Sequence, residues 1–125
     1  MLRRRVSIAL TMVLGLSLAA PVPPSGAARS RLKAAGSASE GFRWDPASRV
    51  IGKGDRIVWT NPTGTNHTVT AYRGRWRKNA TIRPGERTRK KFRRRGTFKF
   101  RCLVRGHSAI NNGRCVGMCG KIVVR

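Results

Sequence analysis

From Phe42 to the C-terminus, short apolar segments are cut at intervals of roughly ten residues by turn signals, a rhythm that reads as strands. The signals are Asp45-Pro46, Gly52-Lys53-Gly54-Asp55, Asn61-Pro62-Thr63-Gly64, Arg83-Pro84-Gly85, Arg95-Gly96 and Asn111-Asn112-Gly113. Between them the apolar residues recur with period two, so side chains sharing a face can be read off directly. Ile57 goes with Trp59, and His67 with Val69. Phe98, Phe100 and Cys102 face one way while Lys99 and Arg101 face the other; Met118 has the parity of Ile122 and Val124. Strands at this spacing predict an all-β sandwich or barrel. Trp44, Trp59, Phe92, Phe98 and Phe100 are assigned to its core. Arg87 to Arg95 spoils the alternation and is read as an edge strand whose charges discourage pairing with another sheet. Tyr72 and Trp76, in a basic connection, are candidates for exposure.

The N-terminus is of another kind. Arg3, Arg4 and Arg5 precede an apolar run from Val6 to Ala20, which is short for a bilayer span. Small residues at Ser25-Gly26-Ala27 follow. This is the layout of an export signal, so residues 1–27 are read as a signal peptide, with an uncleaved anchor as the alternative. Residues 28–41, small, polar and basic, are expected to form a flexible lead-in, and 42–125 a single domain. No later segment is apolar enough to span a membrane. The expected location is secreted or periplasmic.

An exported chain meets an oxidising compartment, where its three cysteines, Cys102, Cys115 and Cys119, leave one sulfur over if two pair. A leftover thiol there calls for a ligand. Enzyme readings are disfavoured on composition: four scattered acids (Glu40, Asp45, Asp55, Glu86) stand against 28 Lys and Arg. The chain carries no phosphate-cradling glycine loop, no GxSxG elbow and no helical HExxH.

Four pieces in order resemble the cupredoxin family of plastocyanin- and azurin-like proteins: IGKGDRIVWTN (51–61), NHTVT (66–70), IRPGE (82–86), and GTFKFRCLVRGH followed by GMCGKIVVR. The resemblance covers about residues 42–125. It implies a Greek-key β-sandwich of eight or so strands with one type 1 copper ion at one end. His67, Cys102 and His107 would form the trigonal set and Met118 the long axial contact, an arrangement that suits both oxidation states of copper. Cys102 and His107 are separated by four residues, as in azurin-like members; the plastocyanin-like gap is shorter. His107 and Met118 are separated by ten residues, more than in the common family loops. Thr68 stands where the family often has Asn. The implied function is one-electron transport without substrate turnover, with His107 as the electron exit.

Cys115 and Cys119 flank Met118. A disulfide between them would stiffen the long ligand loop; a turn brings such cysteines close enough, whereas an extended segment does not. The net charge of +24 suits an acidic redox partner or an anionic cell surface. Two other readings stand beside the carrier. One is a secreted copper-binding or delivery protein using the same residues. The other is a polyanion- or nucleic-acid-binding domain, with Cys102, His107, Cys115 and Cys119 drawn as a zinc site. The last leaves His67 without a role, and export argues against a nucleic-acid partner.

Overall fold

The computed structural model describes Gly15 and residues 28–125. The signal-peptide reading of residues 1–27 falls, Gly15 aside, outside them. The described chain forms β1 (Arg29–Ser37), β2 (Gly41–Asp45), β3 (Ser48–Ile51), β4 (Arg56–Thr60), β5 (His67–Arg73), β6 (Asn79–Ile82), β7 (Arg87–Lys91), β8 (Gly96–Arg101), β9 (Ser108–Asn111), β10 (Arg114–Gly117) and β11 (Cys119–Val124). No helix among the described residues is long and apolar enough to cross a membrane.

Two mixed sheets face each other. One has the order β2-β1-β4-β7 and the other β3-β11-β8-β5-β6, while β9 and β10 form a separate hairpin. The chain repeatedly changes sheet, as a sandwich requires. Period-two alternation turns Leu32, Ala34, Trp44, Ile57 and Trp59 of the first sheet inward against Val69, Ile82, Phe98, Phe100, Ile122 and Val124 of the second. Trp59 meets Phe100 edge to face, with ring centroids 5.3 Å apart, a favoured aromatic arrangement.

The expected lead-in is a strand instead. β1 pairs in parallel with β4, Arg29 opposite Arg56 through Lys33 opposite Thr60, and antiparallel with β2. The reason is legible in hindsight: Leu32 and Ala34 alternate with Arg31 and Lys33, and both apolar side chains are fully buried. Burying a leucine contributes about 2 kcal/mol, enough to dock a segment whose backbone also completes two ladders. The extra strand and the β9–β10 hairpin help bring the total to eleven rather than about eight.

β7 lies at the edge of its sheet as expected, but it ends at Lys91, and Phe92 turns into the core. Trp76 is not free on the surface. It packs on Phe92 and Phe98, with centroids 5.7 and 5.8 Å away, and its indole N–H donates to the Lys99 carbonyl at 3.1 Å.

Candidate metal centre

His67 opens β5 and Cys102 follows the last residue of β8, two neighbouring antiparallel strands of the larger sheet. Alternation turns both side chains into the sandwich, where each is fully buried. His107 lies in the turn after β8, which is closed by its backbone N–H donating to the Val104 carbonyl at 3.0 Å. Met118, also fully buried, joins β10 to β11. Its carbonyl accepts from the Cys102 N–H at 3.0 Å, and its N–H donates to the His107 carbonyl at 2.8 Å. The ten residues between His107 and Met118 thus leave the site as a hairpin and return to it. Gly117 makes that return possible: its φ is +92°, and a Cβ there would lie 2.5 Å from the His107 carbonyl oxygen.

Three ligand-type atoms converge. Nδ1 of His67 and Nδ1 of His107 are 3.1 Å apart. The Cys102 sulfur is 3.9 Å from the first and 3.5 Å from the second. A triangle with these sides is acute, and the point inside it equidistant from all three atoms lies about 2 Å from each, the length of a metal–imidazole bond. The donor set therefore fits a single metal ion.

The hydrogen-bond network fixes which nitrogen of His67 is bare. Nδ2 of the buried Asn61 donates to the carbonyls of Thr65 and Ile82, at 2.7 and 2.9 Å. Its Oδ1 and the Thr65 carbonyl, 2.6 and 3.1 Å from the Thr63 hydroxyl, can only accept, so the hydroxyl gives its proton to them. That hydroxyl is then the acceptor facing Nε2 of His67 at 2.8 Å. Nε2 carries hydrogen, and Nδ1 presents its lone pair to the centre. Bracing the far nitrogen of an imidazole in this way sets tautomer and ring orientation for metal binding. Burial, and secondarily charge on His107, brings the His67 pKa down to about 4; burial lowers that of His107 as well. Both rings are therefore predominantly neutral near pH 7, the form that coordinates metals.

Cys102, the free cysteine among the described residues, receives the Thr68 backbone N–H at 3.3 Å. The Thr68 hydroxyl accepts the N–H of Leu103 at 2.7 Å, so this threonine holds the cysteine from both sides. Ser108 donates its hydroxyl to the Cys102 carbonyl. Phe42 packs on both imidazoles, with centroids 4.8 Å from His67 and 4.5 Å from His107. Cys115 and Cys119 are joined in a disulfide, which clips the outgoing hairpin to β11. That pairing rules out a zinc site built on both of these cysteines.

Sequence reasoning missed Asn61, Thr63 and Phe42. The first two stood inside a turn signal, and only the buried position of Asn61 distinguishes it from an ordinary turn asparagine. The acids serve the frame instead: Asp55 accepts the N–H groups of Gly52 and Ala28, and Glu86 that of Arg83.

No protein-family model matches the chain, and no curated protein matches it. Solved structures do. The chain is similar to a purple cupredoxin from Nitrosopumilus maritimus at 14% identity and a TM-score of 0.58, over 77% of this chain and 99% of that one. It is similar to a reduced Cu(I) form of an amicyanin variant at 17% identity and a TM-score of 0.61, over 82% and 87%. Pseudoazurin from Methylobacterium extorquens AM1 matches at 22% identity and a TM-score of 0.56, over 78% and 75%. The chain has the cupredoxin fold.

Proposed function

We propose that this chain is a type 1 copper protein that carries single electrons outside the cytoplasm and turns over no substrate of its own. The observation that carries the reading is the triangle of two imidazole nitrogens and one thiol sulfur around a point at bonding distance. His67, Cys102 and His107 would hold the ion, with the Met118 thioether as the weak axial ligand. Thioethers suit copper, whereas zinc sites draw on thiolate, imidazole and carboxylate.

Bound copper would supply a one-electron Cu(I)/Cu(II) couple. The protein's part is to keep the donors in place through either state. The Asn61–Thr63 brace holds one ring, Thr68 holds the sulfur, and Phe42 covers both rings against water. His67 is fully buried while His107 is only half-buried, which makes the His107 edge the shorter way out for an electron. An acidic partner protein would be drawn to a chain with 28 Lys and Arg and four acids, with an on-rate that falls as salt rises. Export is supported by the sequence of residues 1–27 and by the disulfide, which oxidising compartments favour.

The test is addition of Cu(II) to the purified protein, followed by visible absorption and electron spin resonance. An intense thiolate-to-copper band with narrow hyperfine splitting is expected. A colourless protein, or one whose copper signal survives Cys102→Ser, would sink the reading.

A further inference from the structure

The outer face of the β2-β1-β4-β7 sheet carries a second feature, remote in chemistry from the metal centre. Inward residues of β1 and β4 alternate with outward ones, and the register aligns the outward set in rows. Arg29 lies opposite Arg56, which lies opposite Lys91; Arg31 lies opposite Val58, which lies opposite Arg89. In the next row Thr60 faces Arg87. The short side chains of Val58 and Thr60 on the middle strand floor a trough of about 320 Å³. Arg29 and Arg31 wall it from β1, Arg87 and Arg89 from β7, and Arg56 also lines it.

Edge protection does not account for this arrangement. Charges on β7 guard an open edge, but β1 and β4 are interior strands and need no such guard. Placing like charges directly opposite one another is destabilising, so the row Arg29–Arg56–Lys91 is maintained against a cost. Nor are these groups neutralised from within. None of the five guanidinium groups donates a hydrogen bond to, or pairs with, any of the described residues. The one ion pair among the described residues, Lys33 with Asp45 at 4.0 Å, lies on the β2 side of the face. The trough wall itself contains no acid.

Guanidinium groups recognise phosphoryl oxygens through paired, charge-assisted hydrogen bonds. Five around one small trough, with a hydroxyl on its floor, exceed what one carboxylate or sulfate can satisfy. We propose that this trough is a binding site for closely spaced phosphoryl groups, as in a short oligophosphate. The other sheet differs in degree. Its outward face, with Lys99 opposite Lys121, helps line a wider trough of about 520 Å³ that holds two guanidinium groups, Arg73 and Arg114, rather than five, beside the Tyr72 ring and the Cys115–Cys119 disulfide.

The experiment is titration of the full-length protein with inorganic tripolyphosphate at fixed ionic strength, followed by calorimetry and by amide NMR shifts. Saturable one-to-one binding is expected, with shifts confined to β1, β4 and β7. Arg31→Gln with Arg89→Gln should weaken it on the order of tenfold, since charge-assisted bonds are lost. Lys99→Gln with Lys121→Gln removes the same charge from the other face and should change it less than about twofold. Arg29→Gln with Arg87→Gln is a second pair, should the first fold poorly. A parallel arm uses phosphatidylglycerol vesicles. Co-sedimentation that is lost in the Arg31/Arg89 variant identifies lipid headgroups as the source of the phosphoryl groups. Tripolyphosphate binding without co-sedimentation identifies a soluble anion. If both double variants weaken binding equally, or shifts spread over every basic surface, the trough is only part of a diffuse positive field and the proposal falls.

Discussion

The metal centre and the arginine trough treat polar groups in opposite ways. At the centre, the donors and acceptors that orient His67 and Cys102 are matched inside the protein: Asn61 to two carbonyls, Thr63 to Asn61 and His67, and Thr68 to Cys102 and Leu103. Only the atoms that would meet a metal are left facing one another. In the trough the donors stay in water and no protein acceptor among the described residues answers them. The difference follows from burial. A buried polar group without a partner costs about 1–3 kcal/mol, whereas an exposed arginine keeps its hydration and can wait for a ligand.

Substitutions can break or sharpen this contrast. The largest effect is expected from Cys102→Ser, which should abolish the blue absorption band outright while leaving tripolyphosphate binding unchanged; a shared loss would show that the two regions are coupled. Next is Thr63→Val. It leaves the Asn61 oxygen with only the residue-63 backbone N–H and strands the His67 Nε2–H, so it should lower the stability of the metal-free protein by about 1–3 kcal/mol in urea unfolding and weaken copper affinity about 10- to 100-fold. Thr63→Ser should restore both; if Thr63→Val is silent, the brace is not what orients the ring.

Acidity tests the same ring from another side. The His67 pKa is about 4 in the fold, against an ordinary 6.5. Between these values the unfolded chain takes up a proton that the folded chain refuses. The contribution of the neutral His67 to the stability of the metal-free protein should therefore be fully present above pH 6.5 and be lost progressively toward pH 4. A flat urea midpoint across that window would contradict the burial argument. Met118→Leu conserves volume, so it should cost less than about 1.5 kcal/mol. It should leave the band in place while shifting the redox potential in voltammetry, and an unmoved potential would remove Met118 from the ligand set. The smallest effect belongs to the trough: Arg31→Gln should change unfolding stability by no more than about 0.5 kcal/mol.

Much of this was open to a reader of the text alone. Alternation in Ile57–Trp59 and Phe98–Cys102, broken by proline and glycine turns, exposes the inward faces because side-chain direction in a strand depends only on parity. The odd cysteine called for a ligand and parity turned Cys102, His67 and Met118 inward, while the cupredoxin resemblance put them at one end of the sandwich. β1 was missed because four small residues follow Lys33 (AAGS), and its two buried positions, Leu32 and Ala34, make a faint period. Asn61 and Thr63 were missed because a turn asparagine and a buried one are spelled alike.

What chain order settles here is local: where turns fall, which side of a strand a residue takes, and which ligand-type residues are on offer. Partnerships between distant segments needed the folded register. The 40-residue separation of His67 from His107 closes only because β8 lies beside β5, and arginines from β1, β4 and β7 share a trough only because a parallel pair aligns Arg29 with Arg56. Parity repeats within a few residues, so it survives in one dimension. Register is a choice among many pairings, and the packing of the whole core makes it.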